Sequence, residues 1–591
     1  MGRRGGSSNQ QQQKAPAQEP VAAARALPDR WWGKLVLLLA TVVLLDLSFA
    51  PFKQFYLAYV ALVPWLIVVH HSRSAFTAFW WSWVGGVMFF SANMWWLAYV
   101  TGPGMAALFA VVALYWAVPG AIIRGTKLLE AEAGEDQPPC RWLALAGVFL
   151  IAAIWTAFEW FRATWPLGGL AWGFLGHTQS PVLHLAQIAD FSGIYGISFW
   201  VAALNAAIAM AIIHRKTWIR TMAPAGIAMI VLLAGVLGYG FFRFSQQTTH
   251  PGPTVLVVQP SYPQSNSGEK GAPPEEIVDF HVRQTRAALA AHPQTNLVVW
   301  SETMMPALNP EARDSAPPFS SDVWLDHVAF LRQAVDHLQS LVTRYHTALL
   351  AGGMYQSDWY LKETSEGRLW VHRDRRNAAY FVAPGGGAEP RYDKIHLVPF
   401  GEYLPFKSAI PPLYHLFLAL SPYPEEYTLT AGTPDAMTVF RLRPDWRFVT
   451  PICFEDMDGE LVRRMFKAPD GAGKRADFIV NITNDGWFRF NEMPQHLQAA
   501  IFRSIENRVP TARSVNTGIS GFVDSLGRTH DLIPAGNEGT SIATLDLDSR
   551  VTFYTRFGDL FAYACAAATF LWAVGGIVRW WKHRPVKVSS E

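Results

Sequence analysis

The stretch Val449-Thr450-Pro451-Ile452-Cys453-Phe454-Glu455-Asp456 joins an apolar run, beginning at Phe448, directly to a cysteine and two carboxylates. The run predicts a buried strand. A strand that ends in a tight turn can push a nucleophile out of the sheet into a cleft, because the backbone reverses while the side chain keeps pointing outward. A lone cysteine at a strand end is more commonly an inert core thiol. Which of the two Cys453 is depends on the compartment it occupies and on the other reactive groups around it.

With 591 residues, 51% of them hydrophobic, 16% charged and 25 tryptophans, the chain is too apolar and too aromatic to be wholly soluble. Residues 2–26 are the exception, rich in Gly, Ser and Gln with Gln10 to Gln13 in a row, and predict a disordered tail. Apolar runs then recur near 35–50, 55–69, 76–100, 105–123, 142–161, 194–213 and 223–242, with an eighth near 560–578. Each approaches the ~20 residues that a ~30 Å hydrocarbon core requires. The first has the basic flank of a signal peptide, but Asp46, Pro51 and the immediate second run argue for a retained span.

The small net charge of +3 matters less than where the basic residues lie. They stand before the first run (Arg25, Arg30, Lys34), after the second (Arg73), after the fourth (Arg124, Lys127, Arg141), after the sixth (Arg215, Lys216, Arg220) and after the eighth (Arg579, Lys582, Arg584, Lys587). The intervening loops are poor in them, Lys53 and Arg162 apart. Positive residues stay cytoplasmic, so both termini are expected inside and seven spans put residues 248–550 outside, in the periplasm of a bacterial inner membrane. A soluble domain in an oxidising compartment generally pairs its thiols or lacks them. Cys140 is expected in the cytoplasm and Cys565 within a span, so Cys453 is left as an unpaired thiol with reason to be functional.

Between the fifth and sixth runs lies a loop containing Glu159, Arg162, Trp165, Trp172, His177, Gln187 and Asp190. Its tryptophans read as interfacial anchors or as a surface for a lipid headgroup. Glu159 at a membrane boundary needs a partner, and Arg162 is three residues on, within reach on one helix face.

From Thr254 the pattern becomes short β-rich runs, at 254–258, 297–300, 348–351, 378–382, 448–452, 478–481 and 522–524, alternating with helical stretches at 275–290, 324–345 and 496–507. This predicts a layered α/β or α+β domain of some 300 residues. Glu302 immediately follows Leu297-Val298-Val299-Trp300 and is expected at the exit of a buried strand, and Lys394 enters a stretch with few charges. A carboxylate, an ammonium and a thiol in one domain have a chemical logic that none has singly.

Glu302 in Trp300-Ser301-Glu302-Thr303, Lys394 in Asp393-Lys394-Ile395-His396-Leu397-Val398-Pro399-Phe400 and Cys453 in Pro451-Ile452-Cys453-Phe454-Glu455 resemble the Glu-Lys-Cys triad of the nitrilase, or carbon-nitrogen hydrolase, superfamily. Gly401-Glu402-Tyr403-Leu404-Pro405-Phe406, Asn484-Asp485-Gly486-Trp487-Phe488, Asn516-Thr517-Gly518-Ile519-Ser520 and Ser192-Gly193-Ile194-Tyr195-Gly196 narrow the resemblance to its membrane branch, apolipoprotein N-acyltransferase. Two departures stand out: Phe454 follows the nucleophile where the family commonly has tyrosine, and Gln259 to Gly271 lack the Asn and the Lys-Trp pair usual in the first lid loop. Residues 314–326 look like an insertion.

The resemblance implies an eight-span helical membrane domain carrying an αββα nitrilase-like sandwich. The expected parts are a cytoplasmic tail (1–30), seven membrane helices (31–247), the periplasmic catalytic domain (248–550), and an eighth helix with a tail (551–591). It also implies transfer of an acyl chain from a phospholipid, with phosphatidylethanolamine the expected donor, to the α-amine of a diacylglyceryl-cysteine on an apolipoprotein through a Cys453 thioester. A thiol of pKa ~8.5 needs activation. Ionising both it and a carboxylate about 4 Å away costs on the order of 4 kcal/mol at an effective dielectric of 20, so a neutral thiol beside an ionised Glu302 is expected at rest. Lys394 and the backbone N–H after Cys453 then face the developing oxyanion, and Glu302 acts as base and acid in turn. Glu402 and Glu455 are expected to support these groups, with Phe454, Asn484 and Asp485 around them. Residues 413–422 could form an opening toward lipid or could be ordinary packing. A membrane-tethered amidase with the same triad and an idle lipid-binding scaffold are the competing readings. With scattered histidines and one cysteine in the domain, no metal or cofactor is expected, and nothing suggests nucleic acid as a partner.

Overall fold

The computed structural model describes residues 27–131, 139–265, 269–314, 322–364, 367–385, 390–421, 427–469, 471, 473–488 and 491–582. Most of the expected N-terminal tail, the centre of the expected insertion, part of the first lid loop and the end of the C-terminal tail lie outside these.

The first apolar runs form the helices α1 (Trp31–Ser48), α2 (Phe55–His70), α3 (Ala75–Asn93), α4 (Gly102–Gly125), α5 (Arg141–Thr164), α6 (Ile194–Ile213) and α7 (Trp218–Ser245). By length and composition α1, α4, α5, α6 and α7, with a helix near the C-terminus, are able to cross a membrane. α2 is shorter and discontinuous, with a turn at Leu62 between its two helical pieces and Pro64 just beyond it. Freed backbone groups are costly in a bilayer, and Asn205 of α6 satisfies them: its Oδ1 accepts from Leu62 N at 2.8 Å and its Nδ2 donates to Ala58 O at 2.8 Å. The third run ends as a helix at Asn93, not at 100, and a 3₁₀ turn, Trp95–Tyr99, follows.

Residues 249–548 build two six-stranded sheets. The strands are β1 (Thr249–Gln259), β2 (Leu297–Met305), β3 (Ala348–Thr364), β4 (Gly367–Val382), β5 (Arg391–Asp393), β6 (Phe440–Arg443), β7 (Trp446–Val449), β8 (Phe478–Thr483), β9 (Thr511–Val515), β10 (Ser520–Val523), β11 (Thr529–Ile533) and β12 (Gly539–Asp548). Between them run α8 (Pro274–Ala291), α9 (Asp322–Tyr345), α10 (Pro411–Leu420), α11 (Gly459–Phe466) and α12 (Glu492–Asn507), and α13 (Leu560–Lys582) closes the described chain. One sheet is ordered β12-β1-β2-β3-β4-β5 and the other β11-β10-β9-β8-β7-β6, with β1, β2, β3 and β7, β8, β9 parallel.

Side-chain alternation along the central strands explains the layering. Val255, Val257, Leu297, Val299 and Leu350 share one apolar cluster with Phe448, Phe478, Ile482 and Phe522 of the facing sheet. Their neighbours Leu256, Val258, Val298, Trp300 and Leu349 pack instead on Ile277 and Val278 of α8 and Leu338 and Leu341 of α9. The result is an αββα sandwich. Its fourth layer is shared: Leu497, Ile501, Phe502 and Ile505 of α12 belong to the same apolar cluster as the membrane helices. At the end of α12, Arg508 takes a left-handed φ of 51° and is wholly buried against Asp190, its Nη2 2.8 Å from Oδ2.

Two local expectations are corrected. Glu302 lies inside β2, which continues to Met305. Glu159 and Arg162 bond to different groups: Glu159 Oε1 accepts from Trp155 Nε1 and Leu175 N, both at 2.8 Å, while Arg162 donates to the carbonyls of Leu170, Trp172 and Gly173.

Candidate active site

The pairing of β2 with β3 shifts register between Trp300 and Met305. The backbone bulges there, with Thr303 at φ 54°, and Gly352 opposite leaves the room, since a Cβ on it would lie 2.6 Å from Glu302 Cα. The bulge brings the Glu302 carboxylate among three donors: Lys394 Nζ at 3.2 Å and Asn377 Nδ2 at 2.6 Å on Oε1, and Asn484 N at 2.8 Å on Oε2. Lys394 follows β5 and is anchored by its own N–H to Asn377 O at 2.8 Å. Its ammonium is 1% exposed and also lies 3.0 Å from Glu402. Of its three donors, two are thus directed at carboxylates, which leaves one for an incoming oxygen.

Cys453 opens a 3₁₀ turn, Cys453–Met457, just beyond β7, and Ile452 still bridges to Ile482 of β8. Its φ of 51° is the left-handed conformation uncommon for a side-chain-bearing residue, and it sets the thiol at the edge of the inter-sheet core. Glu455 holds the turn from beneath: Oε1 accepts from Ile395 N at 2.7 Å and His396 N at 3.0 Å, Oε2 from Ile452 N at 2.8 Å, and Tyr392 Oη donates to both at 3.0 Å. Glu455 therefore ties the Cys453 turn to the Lys394 loop. Phe454 packs edge-on against His396 at 5.5 Å and joins the apolar cluster of the membrane helices, as does Phe488.

Electrostatics follow from burial. Desolvation pushes the Glu302 carboxyl above its ordinary range, and the Lys394 ammonium works against that rise. Burial alone would lower Lys394, but Glu302 and Glu402 overcome it and hold the ammonium well above its ordinary range. Burial, and then the Glu302 charge, push the Cys453 thiol well up. Burial thus keeps the thiol neutral, and the neighbouring carboxyl groups keep the Lys394 ammonium charged.

Asn484 donates to Gln264 Oε1 at 2.5 Å and accepts from Asn516 Nδ2 at 2.9 Å, which stitches the first lid loop to the site. In that loop, where no lysine counterpart was expected, the Lys270 ammonium donates to Thr303 O. Asn377, Tyr392 and His496 were not singled out by sequence. Asn377 gave one signal, a polar residue leading into the apolar end of β4. His496 gave another: it is four residues from Glu492, one helical turn on the same face. Its environment brings Asp485, Glu492 and His496 close enough to surround a cation. Arg513 already stands there, its Nη1 2.6 Å from Asp456 and its Nη2 3.8 Å from Asp485, and the donor set reads as an ion-pair cluster.

Residues 41–207 match the apolipoprotein N-acyltransferase N-terminal domain family and residues 262–553 the carbon-nitrogen hydrolase family. An apolipoprotein N-acyltransferase of Geobacter metallireducens is 30% identical over 89% of this chain and 92% of its own. One of Chlorobaculum tepidum is 27% identical over 91% of this chain and 95% of its own. Among solved structures, a carbon-nitrogen hydrolase superfamily protein of Xanthomonas campestris is similar at TM-score 0.33 and 18% identity, covering 50% of this chain and 91% of its own. A nitrilase superfamily member of Saccharomyces cerevisiae scores 0.33 at 18% identity, covering 51% of this chain and 92% of its own. With both halves of the chain matched and a relative this similar over nine-tenths of its length, the chain belongs to the apolipoprotein N-acyltransferase family.

Proposed function

We propose that this acyltransferase moves a fatty acyl chain from a phospholipid, phosphatidylethanolamine foremost, to the N-terminal α-amine of a diacylglyceryl-cysteine on an apolipoprotein, with Cys453 as the carrier. The observation that supports this most is the buried Glu302–Lys394–Glu402 cluster beside the Cys453 turn, set against residues of the membrane helices. Residues 248–550 work on the periplasmic side of a bacterial inner membrane, with eight spans and both termini in the cytoplasm.

In the first half, Cys453 Sγ attacks the ester carbonyl carbon and its proton passes to Glu302. Negative charge collects on the ester oxygen, where the free donor of Lys394 and the N–H of Phe454 stabilise the transition state more than the ground state. The C–O bond breaks, Glu302 returns the proton to the departing lysophospholipid oxygen, and a thioester remains. In the second half the α-amine attacks the thioester and its proton goes to Glu302. The C–S bond breaks, Glu302 reprotonates the sulfur and the amide product leaves. Glu402 and Glu455 hold Lys394 and the nucleophile turn in register.

Labelled phosphatidylethanolamine alone should load the enzyme with one hydroxylamine-sensitive acyl group and release lysophospholipid, while Cys453→Ala stays unlabelled. The loaded enzyme should persist in buffer and discharge to a diacylglyceryl-cysteinyl peptide, but not to one whose amine is acetylated. Rapid loss of label as free fatty acid without an acceptor would sink the transferase reading and favour a hydrolase.

A further inference from the structure

His496, in the second turn of α12, is 1% exposed and has a carboxylate on each ring nitrogen. Its Nε2 lies 2.8 Å from Asp456 Oδ1 and its Nδ1 3.0 Å from Asp485 Oδ1. A neutral imidazole has one N–H, and a carboxylate oxygen has none to give. Two such contacts are both satisfied when the ring carries a proton on each nitrogen. Arg513 supplies the second cation, its Nη1 2.6 Å from Asp456 Oδ2 and 2.7 Å from Asn481 Oδ1. Glu492 Oε1 lies 3.4 Å from His496 Nδ1 and completes the group. Burial and then the Asp485 charge push its carboxyl up to about 7.

The two carboxylates held by His496 belong to two different parts of the site. Asp456 is in the same 3₁₀ turn as Cys453. Asp485 follows Asn484, whose N–H donates to Glu302 Oε2 at 2.8 Å. His496 bonds to neither Glu302 nor Cys453, but the turns bearing the nucleophile and fixing the base are both fastened to it. The preceding residue, Gln495, faces the membrane helices: it accepts from Trp172 Nε1 at 2.8 Å and donates to Ala50 O and Asn93 O, both at 3.3 Å. One step along α12 thus separates the grip on the catalytic turns from the grip on the membrane part.

We propose that His496 is a positioning residue for acyl transfer, an imidazolium clamp that sets the Cys453 turn and the Asn484–Asp485 turn in register. The inference rests on the reading of Cys453 as carrier and Glu302 as base. The test uses the full-length enzyme in detergent and follows loading of labelled acyl chains from phosphatidylethanolamine micelles, with thermal melting alongside. His496→Gln keeps hydrogen-bonding groups but not the charge, and loading should fall about 10²-fold, the scale of a 1 Å misplacement. The apparent KM for phospholipid should stay within twofold. His496→Lys, which returns a cation between the carboxylates, should recover at least tenfold of the loss, and a chelator should leave the wild type unaffected. Wild-type loading by His496→Gln, a loss confined to KM, equal loss in both variants, or inhibition by the chelator would each overturn the clamp. If His496→Gln does not fold, a folded His496→Lys decides alone, its loading within tenfold of wild type supporting the clamp and a deeper loss overturning it. Cys453→Ala run in parallel separates the two claims: if it still loads, the carrier reading fails, and if it is dead while His496→Gln is normal, only the clamp fails.

Discussion

Lys394 is held between two carboxylates with almost no exposure, so replacing it strands two acids together and, on the proposed mechanism, removes the oxyanion donor. Lys394→Met should lower acyl loading by about 10²- to 10³-fold, read as the single-turnover rate from labelled phospholipid, with phospholipid binding retained. Glu302 must be ionised to take the thiol proton, and burial places its carboxyl above the ordinary range. Loading should therefore fall as pH drops through that raised value, and Glu302→Gln should abolish this limb along with most of the rate. The stability sign is the opposite. The folded state binds this proton more tightly than the unfolded one, so the contribution is full below the ordinary glutamate value and is lost as pH rises through the folded one. The motifs around Cys453, Glu302 and Lys394 were legible because each sits in a local run of distinctive neighbours. Asn377 and His496 were not, because what defines them is a partner 75 residues away for one and 40 for the other.

Among the elements, α12 is the most constrained, a helix with catalytic loops on one side and membrane helices on the other. Its C-terminal anchor, Arg508, forms a fully buried pair with Asp190. Arg508→Met leaves Asp190 the guanidinium of Arg243, whose Nε is 2.9 Å from its Oδ2, but takes a buried donor from Gln187 and Ser525, and should destabilise the protein by about 1–3 kcal/mol, measured as a shift in the unfolding midpoint in detergent. The sequence showed the central strands well, since fully apolar stretches such as Leu297-Val298-Val299-Trp300 admit few alternatives. It concealed β9, where Thr511-Ala512-Arg513-Ser514-Val515 is wholly buried although Arg513 is charged, because its counter-ions come from other elements. It also understated the β3–β4 hairpin, whose outer arms pair as far as Thr364 and Gly367 with too many polar residues to read as strand. The joint in α2 was invisible for a similar reason: the group that satisfies it, Asn205, comes from another helix.

At the scale of the whole molecule, the distribution of basic residues predicts the orientation. A reporter active only in the periplasm should work when fused after Gln247 and stay silent after Lys582. The reverse result would remove the catalytic domain from its proposed lipoprotein substrates. The fold class was legible through the apolar runs and the motifs together, while the docking of the two halves through α12 depends on contacts more than 300 residues apart, as between Trp172 and Gln495. The first and last strands of the catalytic domain are antiparallel neighbours, with Thr249 opposite Asp548, so the chain leaves α7 and heads back toward α13 at a single sheet edge. An enzyme attached in this way is a cassette. It can be placed in a loop of a helical bundle without rethreading any helix, as domain insertions with close termini generally can. The lipid-embedded half and the catalytic half therefore need share no ancestor, and the history of this chain can be that of one splice.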